Sequence, residues 1–181
     1  MGLLADQDAI RTPSGCLVGV EHDDSPKSPC WLSQVLGGSG ASATVTGTTA
    51  ETTLASTTIP ANMLGSGMLR VLLAMGATNN ANAKTFRVRI GGVIVATLSA
   101  ASLAALRATV VVFGRPAAGQ LVFHLAPPGL QDMSGSGSTW STAAVDMTVP
   151  QTLTITAQLA VGTDSAELVG WAAEILPAGW S

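Results

Sequence analysis

The stretch Thr152-Leu153-Thr154-Ile155-Thr156-Ala157-Gln158-Leu159 alternates apolar and polar side chains without a break. A period of two puts successive side chains on opposite faces of an extended strand, so Leu153, Ile155, Ala157 and Leu159 share a buried face and the threonines a wet one. The same pattern places Leu69, Val71, Leu73 and Met75 inward with Arg70 outward, and sets Phe86, Val88 and Ile90 against Arg87 and Arg89. Each arginine then lies on a solvent or partner face.

Further strands are expected at residues 43–49, 52–59, 92–98, 106–113, 120–125, 141–149 and 166–176, the last with Val169, Trp171, Ala173 and Ile175 on one face. β-Branched residues abound and Gly, Pro and Asn punctuate the intervals. Between Ser99 and Arg107 the Ala and Leu content favours one short turn of helix. Asn79, Asn80, Ala81 and Asn82 suit a tight loop because Asn tolerates left-handed backbone angles, and Ser134 to Ser138 suit a flexible one. About ten short strands with regular turn signals and no crossover helices imply an antiparallel sandwich. The expected fold is therefore all-β, a jelly-roll-like sandwich over residues 41–181.

Residues 1–40 keep no period of 2 or 3.6. They hold both cysteines, the acidic group around Asp23 and Asp24, and a Gly/Ser exit at Gly37 to Gly40. They read as an extended N-terminal arm. Its apolar residues Leu17, Val18, Trp31, Leu32, Val35 and Leu36 are too few for a core of their own and are the candidate partner contacts.

Composition narrows the function classes. Charged residues make up 10% of the chain and hydrophobic ones 47%, against about 25% charged in an ordinary soluble domain. A surface so poor in charge is expected to be covered by partners, a second copy of the chain among them. The net charge of -3 and scattered Lys and Arg offer no footprint for nucleic acid. The apolar run Gly91 to Leu106 is interrupted by Thr97, Ser99 and Ser102 and is shorter than the ~20 residues of a membrane span. No secretory signal and no N-x-S/T sequon is found, which suits an intracellular origin.

No arrangement for catalysis emerges, and the chain is expected not to be an enzyme. The Gly-Ser stretches contain no G-x-S-x-G, and only His22 and His124 could serve as imidazole bases. Cys16, His22, Asp23, Asp24 and Cys30 include every ligand type zinc prefers but lack a close C-x2-4-C pair, so no metal is expected. A Cys16 to Cys30 disulfide would need an oxidising compartment. The acids Glu51, Asp132, Asp146, Asp164, Glu167 and Glu174 are scattered, Trp140 stands alone as a candidate sugar platform, and phosphate loops are missing. No cofactor is expected.

The stretch Gly47 to Gly92 resembles structural proteins of tailed bacteriophages: Glu51-Thr52-Thr53-Leu54, then Ile59-Pro60, then Asn79 to Thr85 running into a strand that ends at Gly91 and Gly92. Ala144-Val145-Asp146 and Gln151 to Gln158 are similar to the same group. The resemblance implies a jelly-roll module, usually trimeric, made in the host bacterial cytoplasm and displayed on the virion. Its partners would be other copies of itself and the major capsid protein or other virion proteins. A capsid decoration (cement) protein is the first expectation; the alternative is a tail-fibre or receptor-binding subunit contacting a host-surface glycan.

Overall fold

The computed structural model describes residues 33–102, 104–115, 119–125 and 140–176, together with the two-residue strands Ile10–Arg11 (β1) and Leu17–Val18 (β2), which pair antiparallel. Eleven longer strands follow: β3 (Gln34–Ser39), β4 (Ala43–Thr46), β5 (Thr52–Ile59), β6 (Met68–Ala77), β7 (Lys84–Ile90), β8 (Val93–Ala100), β9 (Ala105–Arg115), β10 (Gly119–Leu125), β11 (Trp140–Ala143), β12 (Gln151–Leu159) and β13 (Ser165–Leu176). Among the described residues there is no helix.

The strands form a seven-stranded sheet, ordered β11-β10-β9-β6-β13-β3 with β4 also on β13, and a four-stranded sheet, β5-β12-β7-β8. Every pairing is antiparallel. One edge of β13 is shared: β4 takes Ser165 to Leu168 and β3 takes Trp171 to Ile175. Segment 34–39, which composition groups with the arm, is thus a strand of this sheet.

Alternation builds the core as expected. From the larger sheet Leu69, Val71, Leu73, Met75, Leu106, Val110, Val112, Leu168 and Ile175 point inward. They meet Ile59, Phe86, Val88, Ile90, Leu98, Leu153, Ile155 and Leu159 from the smaller one, all buried in one cluster. Burying each such side chain contributes about 1.5–3 kcal/mol, so two sheets with one apolar face each are stable only when stacked. The molecule is an antiparallel β-sandwich. Thr57 Oγ1 closes one side by donating to the Leu36 carbonyl at 2.9 Å, joining β5 to β3 across the gap between sheets.

Four local expectations are corrected. The helical turn at Ser99 to Arg107 is the end of β8, a turn with Ser102 at φ 57°, and the start of β9. Leu106 and Ala108 are buried at strand spacing, and that burial outweighs the few tenths of a kcal/mol by which Ala and Leu favour helix. Strand 141–149 is only Trp140–Ala143, because Thr148 donates its N–H and hydroxyl to Asp146 Oδ1 at 2.9 and 2.6 Å and turns the chain there. Val169 does not share a face with Trp171: the register with β6 shifts between Leu168 and Gly170, a bulge that adds a residue and leaves Val169 outside. Finally, Asn79 to Asn82 lie in the expected β6–β7 loop but without left-handed angles; the Asn80 and Asn82 amides donate to Asp164, and Asn80 Oδ1 accepts from the Asn82 N–H.

Left-handed angles are used at Gly91 (φ 58°) and Gly92 (φ 80°), the two-residue turn between Ile90 and Val93. Two successive positive φ values define the hairpin turn whose twist matches the strands, and glycine adopts both without cost from a β-carbon.

Candidate functional site

Three surfaces concentrate the chemistry of the described residues. On the outer face of the four-stranded sheet, alternation along β7 turns Arg87 and Arg89 to the same side, and β12 sets Thr156 and Gln158 beside them. Glu51, just before β5, lies across all four. Arg89 Nε and Nη2 grip its two carboxylate oxygens at 2.9 Å each, while Arg89 Nη1 donates to the Gly92 carbonyl at 3.1 Å. Arg87 Nη1 donates to Glu51 Oε2 at 3.0 Å and to Gln158 Oε1 at 2.9 Å, and Thr156 Oγ1 donates to Glu51 Oε1 at 2.5 Å. The forked bond from Arg89, helped by Thr156 and the charge of Arg87, holds the Glu51 carboxyl below its usual range against a smaller opposing effect of burial. This network ties the chain before β5 to the middle of the sheet.

A second cluster lies at the rim between the sheets. Lys84, the first residue of β7, faces inward in phase with Phe86, Val88 and Ile90, and its side chain is fully shielded from solvent. The ammonium lies 3.5 Å from Asp164 Oδ2 and donates to Asn80 Oδ1. Asn80 Nδ2 donates to Asp164 Oδ1 at 2.7 Å and Asn82 Nδ2 to Asp164 Oδ2 at 3.0 Å. The Asn80 amide above all, with Asn82 and the Lys84 charge, holds the Asp164 carboxyl below its ordinary range although burial works the other way. Thr46 Oγ1 donates to the Asp164 carbonyl at 2.9 Å, adding β4 to the knot.

The third surface is the outer face of the seven-stranded sheet. Register places Met68, Arg70, Leu72 and Ala74 of β6 beside Phe113, Val111, Thr109 and Arg107 of β9, and beside Leu176, Glu174, Ala172 and Gly170 of β13. Leu72 is 40% exposed and Phe113 39%. The polar exceptions in these rows are Thr109, Arg107 and the Arg70–Glu174 pair, joined at 2.5 Å. One outer face is therefore laced by ion pairs and hydroxyls, while among the described residues the other exposes Leu72 and Phe113 beside the Arg70–Glu174 pair.

Of the candidate contacts, Val35 and Leu36 lie in β3. Val35 is 72% exposed beside Glu174 at the edge of the seven-stranded sheet, while Leu36 packs against the core. Leu17 and Val18 form β2, and their side chains lie outside the described residues, as do Trp31 and Leu32, the cluster Cys16, His22, Asp23, Asp24 and Cys30, Asp132 and the Ser134–Ser138 loop. Backbone register sets His124 opposite Val110 and Trp140 opposite Phe123. Among the described residues no three His, Cys, Asp or Glu side chains come together as a metal site, and no helix is long and apolar enough to cross a membrane. Sequence reasoning counted Asp164 only among scattered acids and missed Lys84 and their pairing. A lysine in phase with three core residues was the available signal.

Fold and register together define an antiparallel two-sheet β-sandwich. No known protein family and no curated protein matches the chain. Among solved structures it is similar to the CBM2 module of the evolved Dit of Lactobacillus casei BL23 phage J-1, with 15% identity and a TM-score of 0.36 over 69% of this chain and 70% of that one. It is also similar to the insecticidal delta-endotoxin Cry8Ea1 of Bacillus thuringiensis, with 13% identity and a TM-score of 0.31 over 81% of this chain and 20% of that one. Likenesses this distant carry no function to the chain.

Proposed function

We propose that this chain is a structural protein of a tailed-bacteriophage virion, in the first place a capsid decoration protein that binds and stabilises the shell. The observation that carries the reading is the outer face of the seven-stranded sheet. Among the described residues Met68, Phe113 and Leu176 on one side of the Arg70–Glu174 pair, and Leu72, Ala74 and Ala172 on the other, are apolar patches that gain free energy when another protein covers them. The low charge of the whole chain supports the same conclusion. So does the resemblance of Gly47 to Gly92 and Gln151 to Gln158 to virion proteins, since those stretches supply Glu51, Arg87, Arg89, Thr156 and Gln158 to one network. The motif ties the chain before β5 to β7 and β12, bracing one sheet on its outer face.

The test is addition of purified protein to expanded capsids that lack it. Stoichiometric binding and a raised capsid melting temperature are expected. Adsorption to host cells, with block of infection and no capsid binding, would replace this reading with the tail-fibre alternative.

A further inference from the structure

We propose that Lys84 and Asn80 are joined by an autocatalytic isopeptide bond, with Asp164 transferring the protons. Three groups that such a bond requires meet in the rim cluster: a shielded amine and carboxylate and the carboxamide of half-buried Asn80. The Lys84 side chain is 0% exposed and that of Asp164 5%. Lys84 Nζ donates to Asn80 Oδ1, so the nitrogen lies beside the carbonyl carbon it would attack. Asp164 touches both reacting nitrogens, Lys84 Nζ at 3.5 Å through Oδ2 and the leaving Asn80 Nδ2 at 2.7 Å through Oδ1. Around them Leu159 and Ala100 flank Lys84 on the neighbouring strands, and Phe86 follows it on the inner face.

Lys84 Nζ and Asp164 Oδ2 face each other at 3.5 Å in the shielded cluster, so a proton can pass directly between them. A proton passes from Lys84 Nζ to Asp164, and the freed lone pair attacks Asn80 Cγ, forming the Nζ–Cγ bond and a tetrahedral oxyanion. Asp164 gives its proton to Nδ2 and takes the second one from Nζ. The Cγ–Nδ2 bond then breaks, and ammonia departs with the proton left on Asp164 as ammonium. The sum is lysine ammonium plus carboxamide giving a secondary amide plus ammonium, with no oxidant or reductant and with the carboxylate restored. Asn82, bound to Asp164 Oδ2 at 3.0 Å, is a positioning residue that keeps the carboxylate turned toward both nitrogens.

Intact-mass spectrometry of the purified full chain tests this directly. The expected mass is about 17 Da below that of the sequence, one ammonia, and trypsin should fail to cut after Lys84, leaving peptide 71–87 with the same deficit. In Lys84→Arg and in Asp164→Asn the deficit should vanish. A full sequence mass with cleavage after Lys84 would overturn the proposal, and the wild-type chain alone decides this even where a variant does not fold. A deficit that persists in Lys84→Arg, as a succinimide at Asn80 would give, also overturns it. So does loss of water with a link from Lys84 to Asp164.

Discussion

Ile155 is 1% exposed between the sheets, whereas Thr154 beside it faces outward and is only half-buried. Ile155→Ala should therefore lower the unfolding free energy by about 2–5 kcal/mol through lost burial and the cavity left behind. Thr154→Ala should stay within about 0.5 kcal/mol, so urea titration of both variants reads the two faces directly. Equal effects would contradict the inward and outward assignment. Lys84→Met removes the nitrogen from the rim cluster and leaves buried Asp164 with the Asn80 and Asn82 amides as its partners, which should cost about 3–5 kcal/mol in the same assay. Glu51 adds a pH dependence. Because folding lowers its pKa from 4.5, chiefly through the bond from Arg89, its contacts stabilise fully above that value and are lost as pH falls through the lower folded value. Stability of the wild type should thus fall more steeply below pH 4.5 than that of Glu51→Gln.

Among the elements, β9 shows where local pattern runs out. Val110, Val111 and Val112 are successive apolar residues, so no alternation reveals which of them faces the core. Pairing with β6 decides it: Val110 and Val112 align with inward Val71 and Leu69, Val111 with outward Arg70. Gly114, further along β9, packs so closely under the β5–β6 loop that a β-carbon would overlap the Gly65 carbonyl oxygen. Gly114→Ala should displace that loop and cost about 1–3 kcal/mol, measured as a lower denaturant midpoint with the slope unchanged. Strand positions for β7 and β12 were legible because each has one apolar and one polar face, while β6 showed only Arg70 against an otherwise apolar run. The bulge at Val169 was not, since a register shift depends on the partner strand and leaves no periodic trace of its own.

For the molecule as a whole, the outer face of the seven-stranded sheet is the feature with consequences. Leu72→Asp places a charge at its centre without touching the core, because Leu72 points away from the second sheet. The variant should remain folded by circular dichroism and bind capsids at least about tenfold more weakly. Unchanged binding would move the attachment surface elsewhere on the chain.

From sequence alone the two-sheet sandwich could be read, because a period of two is a local property: eight residues from Thr152 to Leu159 show which side must leave water before any partner strand is known. The poverty of charge was equally visible. Only the tertiary structure brought Glu51 to Arg87 and Arg89, Lys84 to Asp164, and Leu72 between Thr109 and Ala172 on one outer face. Such contacts join positions many residues apart, and strand order, which decides them, is settled by how whole faces pack rather than by any single stretch of chain.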